Sequence, residues 1–372
     1  MKRKEIILLL VVLCLIVLGA LMIFSASAVL AKNKYGYSYY FLSRQFIFLG
    51  LGCVAMAVCR RIDYHWWAKL CAPLLFINLL LLVMVLVPGF GRQAGGATRW
   101  LHTPFFTVQP GELCKLVMVI YIGSYLANSD NELRNFSRGL LPPLLILLFF
   151  VGLLMMEPDF GTSVLLLLLV VMLFWIGGAR VIHLFSLGLL ALPAIALVVY
   201  RSPYRLKRIM TFLDPWKDPL GSGFQVIQSM MALGVGGVNG VGLGDGKQKL
   251  FFLPEPHTDF IVATIGEEMG FLGICFLILA ILVLLVTGVR IALASRDRFG
   301  MLLAVGLTFL VVVQMLVNMG VTMGVLPTKG LTYPFLSYGG TSLLTSFTAV
   351  GILMNVCRQE EGAVGRRPSR RS

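Results

Sequence analysis

The sequence predicts an all-α polytopic membrane protein, with about ten transmembrane helices and a large extracytoplasmic loop between the seventh and eighth. Composition is the first observation: the 372 residues are 58% hydrophobic and 13% charged, where a soluble domain runs near roughly 45–50% apolar and about 25% charged. A soluble fold of this length cannot hide so much apolar surface. Periodicity is the second. The apolar residues fall in runs of about the 20 residues that a bilayer-spanning helix needs, bounded by charge, Pro or Gly. A β-barrel would alternate in segments of about ten residues, unlike the unbroken run Leu165 to Phe174.

The predicted spans are Ile6 to Ala31, Phe41 to Cys59, Ala68 to Val87, Gly111 to Ala127, Leu140 to Met156, Gly161 to Ile176, Val181 to Tyr200, Asp259 to Val289, Phe299 to Gly324 and Gly339 to Cys357. Lys2, Arg3 and Lys4 followed by an apolar run and Ser25-Ala26-Ser27-Ala28 imitate a signal peptide. The run from Ile6 to Phe24 is longer than the 7–15 residues typical of one, so an uncleaved first helix is expected. With both termini cytoplasmic, the inside segments gather Lys2, Arg3, Lys4, Arg60, Arg61, Lys69, Arg134, Arg138, Arg180, Arg290, Arg296, Arg298, Arg358 and the tail arginines. The short outside segments hold only Lys32, Lys34, Arg44, Arg92, Arg99 and Lys329, as the positive-inside rule requires. The formal charge of +14 thus reflects topology and anionic lipid contact, and no nucleic acid partner is indicated. Residues 1–357 read as one transmembrane domain, and 358–372 as a basic cytoplasmic tail expected to be disordered.

Three loops open on the outer side: Pro88 to Val108, the long 201–258, and Leu326 to Tyr338. A loop as long as 201–258 is uncommon unless it binds or catalyses, and Phe224 to Ala232 within it is helix-like. Gly236-Gly237 through Gly246-Lys247 fails as a phosphate loop, because Gln248 follows Lys247 where Ser or Thr is needed; a close-packed turn on the membrane surface is expected instead. His65, His102, His183 and His257 form no HExxH pair, no nucleophile elbow is present, and no Cys/His metal spacing appears, so serine and zinc hydrolysis drop out.

Charges inside membrane spans are functional candidates because they are costly. Glu112 and Lys115, three apart, share a helix face, either as a packing ion pair or with Lys115 as a cation near an anionic ligand. Asp259 opens the eighth span, where the helix dipole alone favours a carboxylate. At about 100° per residue Gly266, Gly270 and Gly273 lie on its face, as helix-packing glycines or as a groove for a lipid tail. An outward-facing enzyme elongating a glycan from a lipid pyrophosphate needs one carboxylate base and cations for the leaving group.

At these residues the chain resembles the SEDS family (shape, elongation, division and sporulation), closest to its FtsW cell-division branch. The matching segments are Phe24 to Ala28, Gly96 to Trp100, Gln109 to Leu116, Glu157 to Thr162, Phe212 to Trp216, Leu253 to Ile261, Pro327 to Gly330 and Pro334 to Gly340. Gly111 and Pro256 depart from the family's usual residues without removing a reacting group. The resemblance implies an inverting peptidoglycan glycosyltransferase that polymerises lipid II and releases undecaprenyl pyrophosphate, with Asp259 as catalytic base. It also implies a divalent cation (Mg or Mn), a class B penicillin-binding protein as partner, other divisome membrane proteins, and residence in the bacterial cytoplasmic membrane at the division septum. Arg99, Lys115, Glu112, Arg205, Arg208, His257, Lys329 and Ser337 are the candidate substrate-binding residues. A lipid II flippase, an elongation-type (RodA) polymerase and a scaffold that activates a transpeptidase are the competing readings.

Overall fold

The computed structural model describes residues 3–94, 97–102, 106–129, 133, 135–250 and 253–362. Each predicted span has its helix: α1 (Arg3–Tyr35), α2 (Tyr40–Arg61), a short α3 (His65–Lys69) leading into α4 (Cys71–Leu86), α5 (Pro110–Asn128), α6 (Leu141–Met156), α7 (Phe160–Ile176), α8 (Val181–Tyr200), α11 (Ile261–Ala294), α12 (Arg298–Thr322) and α13 (Gly340–Gly362). Eight are long and apolar enough to cross a bilayer, and α4 and α7 are shorter apolar helices. Two further helices, α9 (Pro203–Leu213) and α10 (Phe224–Gly236), lie in the long loop. The chain is a multi-pass membrane protein.

Helix starts follow local chemistry. Pro110 and Pro203 open α5 and α9, where a missing N–H costs nothing. Asp159 caps α7 by accepting from the Thr162 amide at 3.3 Å, and Asp297 caps α12 through the Gly300 amide at 2.9 Å. Helices α5, α12 and α13 form the buried centre, with α11 packed on α12 and α13 on α2. Helix α8 stands at the edge against α7 and α9, its leucines outward. The tail boundary needs correcting: α13 runs on to Gly362, so 358–362 are helical, and 363–372 lie outside the described residues.

The loop between α4 and α5 forms a small antiparallel sheet ordered β1 (Gly91–Ala94), β2 (Ala97–His102), β3 (Thr107–Val108), with Arg92 opposite Trp100. It was not anticipated, because the strands are short and the apolar alternation weak.

The eighth span is not one continuous helix. At Gly270 (φ 63°, ψ −156°) α11 breaks, and main-chain groups there lose their helical partners. The glycine-rich segment after α10 fills the break. The amides of Val241 and Gly242 donate to the carbonyls of Glu267 and Glu268 at 3.0 and 3.1 Å, while the Phe271 and Leu272 amides donate to Gly237 and Val238 at 2.9 and 3.3 Å. Its next turn binds carboxylates: Gly244 N–H meets Glu268 Oε2 at 2.9 Å and Lys247 N–H meets Glu267 Oε1 at 2.7 Å. Lys249 Nζ, 2.5 Å from Glu268 Oε1, completes the cluster with Ser25 of α1, whose hydroxyl donates to the same oxygen at 2.6 Å.

Two expectations are thereby corrected. The Gly236–Lys247 segment is a plug inside a helix break, and at Gly236 and Gly240 it approaches the α11 carbonyls so closely that an added Cβ would overlap them. The glycine face of α11 is no lipid groove: Gly266 meets Leu233 of α10, and Gly270 meets the main chain of Val238 and Gly240. Gly236 lies so near the Gly266 carbonyl that a Cβ would overlap it, whereas Gly234 faces open space. Gly236→Ala should therefore lower the melting temperature of the purified protein, at an overpacking cost of about 1–3 kcal/mol. Gly234→Ala should hold or raise it, and differential scanning fluorimetry in detergent reads both.

Candidate active site

Asp259 sits in the turn just before α11, half-buried, at the end of the bundle where the long loop, the β-sheet and residues 326–339 meet. Three successive carbonyls hold that turn. His257 O accepts from the Tyr338 amide at 2.9 Å, Thr258 O from the Ser337 hydroxyl at 2.6 Å, and Asp259 O from Asn318 Nδ2 at 2.9 Å. The carboxylate itself abuts Gly330: a Cβ there would lie 3.0 Å from Asp259 Oδ2. Burial first, then the Glu255 carboxylate, push its pKa up to about 7, against the pull of Arg208 and Arg99.

Cations arrive from three separate elements. Arg208, on α9, donates to Thr328 O at 3.0 Å, and Arg205, one turn earlier, lies 5.7 Å from the Phe160 ring centroid and donates to Val198 O at 3.3 Å. Lys329 Nζ lies 5.3 Å from the centroid of the same Phe160 ring. Burial lowers the Lys329 pKa to about 8, opposed by Asp159 and reinforced by Arg208. Arg99, carried by β2, donates to Pro158 O at 2.5 Å. Arg208 and Arg99 therefore act on Asp259, Lys329 directly precedes the glycine that abuts it, and Arg205 joins Lys329 at the Phe160 ring, although Arg99 and Lys329 lie far apart in the chain. Tyr204 lies under Arg208, 4.6 Å from ring centroid to guanidinium, while Met210 and Leu213 are exposed on the opposite side, the arrangement of a helix lying in a membrane interface.

The remaining predicted residues do structural work. Lys115 is fully buried, its Nζ 2.8 Å from Glu112 Oε1 and 2.7 Å from Gln314 Oε1. Gln314 passes the connection on, donating to Thr332 O at 3.0 Å and Ser342 Oγ at 3.2 Å. Lys115 and Glu112 are thus corrected from substrate contacts to a packing pair, because both charged ends are consumed inside α5, α12 and α13. Ser337 is likewise consumed, its Oγ donating to Thr258 O and accepting from the Tyr333 amide at 2.8 Å. The His257 ring is buried 4.4 Å from that of Phe41, with Nε2 3.8 Å from Glu255 Oε2, and burial lowers its pKa. It packs the turn between the rings of Phe41 and Tyr338.

The α6–α7 connector supplies residues that no separate role was expected for. Asp159, besides capping α7, accepts from Thr162 Oγ1 at 2.9 Å and Gln109 Nε2 at 3.3 Å. Glu157 is buried with no hydrogen-bond partner on either carboxylate oxygen. Burial and then Asp159 raise its pKa to about 8, with Arg99 opposing. Their motif was visible in the sequence, but nothing in it distinguished a cap from a buried acid. The divalent cation implied by the resemblance has no protein-built cage: among the described residues no three His, Cys, Asp or Glu side chains converge, and Asp159 is occupied by its own helix.

A multi-pass membrane protein that brings a half-buried carboxylate and cations from α9, β2 and the α12–α13 loop together at one end of its helical bundle has the fold and site of a polytopic membrane enzyme. The chain belongs to the FtsW/RodA/SpoVE family of cell cycle proteins, whose model matches residues 5–362. A probable peptidoglycan glycosyltransferase FtsW of Trichlorobacter lovleyi is 45% identical over 356 residues, covering 96% of this chain and 93% of that protein. Stage V sporulation protein E of Bacillus subtilis is 42% identical over 354 residues, covering 95% and 97%. Among solved structures, one described as "Structural coordination of polymerization and crosslinking by a peptidoglycan synthase complex" superposes with a TM-score of 0.77 at 32% identity, covering 95% of this chain and 97% of that chain.

Two outcomes follow for the buried charges. Lys115→Met alone strands Glu112 and should destabilise by about 3–5 kcal/mol, the cost of leaving one buried charge unpaired. Adding Glu112→Gln should recover much of that loss in a double-mutant cycle of thermal stability. Glu157 binds its proton more tightly folded than unfolded, so wild-type stability should fall as pH rises from about 4.5 to about 8. Glu157→Gln should flatten that slope, read from melting curves across this pH range.

Proposed function

We propose that this protein polymerises lipid II into glycan strands on the outer face of the cytoplasmic membrane during cell division, with Asp259 as general base. One observation carries the reading: the half-buried Asp259 carboxylate, abutting Gly330, stands among cations drawn from three elements. Attack by a sugar hydroxyl on an anomeric carbon needs a proton acceptor aligned with the nucleophile, and a carboxylate tuned to about 7 is matched to that transfer at neutral pH. The departing undecaprenyl pyrophosphate is a good leaving group. It needs charge compensation rather than an acid, and Lys329, Arg208, Arg205 and Arg99 are placed to give it. Direct attack by the acceptor hydroxyl, with no covalent glycosyl-enzyme formed, inverts the anomeric centre.

The acceptor sugar's 4-hydroxyl is assigned to the Asp259 side and the donor pyrophosphate to the Lys329 side. A divalent cation would enter with the pyrophosphate, since Mg²⁺ commonly binds through one or two carboxylates plus substrate phosphates. The positive-inside distribution supports cytoplasmic termini, which sets Asp259 outside, where lipid-linked sugars are joined. The similarity to a member of a peptidoglycan synthase complex supports a crosslinking partner, a class B penicillin-binding protein, and a place among the divisome membrane proteins at the septum.

Purified protein with its penicillin-binding partner, given fluorescent lipid II, should make glycan chains that gels resolve. Asp259→Asn should lower the rate by roughly 10²–10⁴-fold; chains made at wild-type rate by that variant would sink the assignment. Lipid II translocation in liposomes that survives the substitution, with no polymer formed, would favour the flippase instead. The rate should rise with pH as Asp259 ionises near 7 and fall as Lys329 loses its proton near 8. Lys329→Arg, whose guanidinium keeps its charge, should remove the alkaline limb while retaining the acid one.

A further inference from the structure

We infer that Asn318 is a positioning residue that fixes the base and the cation loop relative to each other, an inference that rests on the function proposed above. Asn318 lies on α12, almost completely buried, and its one amide nitrogen serves two separate segments. Nδ2 donates to Asp259 O at 2.9 Å and to Leu331 O at 2.5 Å. The first bond holds the turn that carries the base. The second holds the irregular stretch that carries Lys329 and Gly330, two residues and one residue before Leu331.

The orientation of this amide is determined by its neighbours. Both partners are carbonyl oxygens, so only the NH2 end can face them, and Oδ1 is left buried without a hydrogen-bond partner. An isosteric carboxylate would set oxygen against oxygen at both bonds. Leucine, valine or methionine, which surround it on α12, offer no donor, and two backbone carbonyls would be buried unsatisfied.

The linkage matters because the two segments touch at the reacting carboxylate. Gly330 stands where a single added carbon would come within 3.0 Å of Asp259 Oδ2. A small slide of the 327–331 loop therefore changes both the room around the base and the reach of Lys329. The other holds on this turn, from Ser337 and Tyr338, come from the far side of the loop and leave Leu331 free of them. Arg208 grips Thr328 O, but from α9, which lies outside the central helices. Gln314, one turn earlier on α12, holds the next residue of the loop at Thr332 O, but it does not reach the turn of Asp259, and among the described bonds Asn318 is the one side chain on the central helices that holds both segments.

The test uses the full-length protein with its penicillin-binding partner and fluorescent lipid II. Asn318→Ala should lower kcat by roughly 10²-fold, the scale of a displacement of about 1 Å, with KM for lipid II changed by less than about threefold. Loosening the turn admits water to Asp259, so the acid limb of the pH–rate profile should move down from about 7. Glu255, Arg208 and Arg99, the charged groups facing that carboxylate, are untouched by the substitution. Asn318→Asp should be slower than Asn318→Ala at neutral pH and gain on it as pH falls, because a protonated carboxyl regains one donor. Should Asn318→Ala not fold, Asn318→Ser, with one hydroxyl for one of the two carbonyls, should give an intermediate kcat.

The inference is overturned if the folded Asn318 variants keep the wild-type kcat and acid limb. It is equally overturned if only the yield of folded protein drops while the pH profile per folded molecule stays put. An Asp259→Asn variant that still polymerises at full rate, run beside them, would instead refute the underlying function.

Discussion

The break in α11 at Gly270 is the constraint around which the functional end is arranged. A helix interrupted inside an apolar bundle exposes main-chain donors and acceptors that no water can satisfy, and each unsatisfied group there costs several kcal/mol. The segment 237–249 answers that demand with its own backbone, and its glycines are what let it come close enough. Once docked, it also supplies amides to Glu267 and Glu268, two acids that would otherwise be unsupportable at that depth. The short helical piece Ile261–Met269 is thus locked to α10 and α1, and the turn bearing Asp259 projects from a rigid base.

Two lysines illustrate how the same charge serves different ends at different depths. Lys115 sits among α5, α12 and α13 with every near neighbour a protein acceptor, so its charge is spent on joining helices. Lys329 sits at the bundle's end over the Phe160 ring, close to Asp159 and Arg208. Cation–π contact holds such a group without neutralising it, which leaves its charge available to an incoming anion. Crowding by Arg208 strengthens that availability: like charges held side by side are relieved only by something negative placed between them.

The spans were legible because bilayer burial imposes long apolar runs, and all of them became helices within a few residues of their expected bounds. Asp259, Arg99, Arg208 and Lys329 were legible as site candidates through charge and motif. Geometry alone separated them from Lys115, Glu112 and Ser337, since a charge or hydroxyl in sequence carries no sign of whether its partner is substrate or protein. The glycine pattern on α11 misled for a related reason. Helical spacing assumes an unbroken helix, and at Gly270 the helix is broken, so Gly266 and Gly273 no longer share the continuous face that spacing assigns them. Asn318 and Gln314 carry no signal in the sequence, because a lone amide in an apolar run has no pattern; their importance lies in contacts with carbonyls and a lysine elsewhere in the chain.

The Glu112–Lys115 pair also bears on how the chain enters the membrane as it is synthesised. Gln314, the third member of the network, follows Lys115 by 199 residues, so α5 must leave the translocon long before α12 exists. Being three apart on one helix, the acid and the base can discharge each other within α5 itself, and the helix partitions into lipid as a nearly neutral rod. The late arrival of α12 then converts a local neutralisation into a tertiary bond, and that ordering lets a buried charge serve assembly first and architecture afterwards.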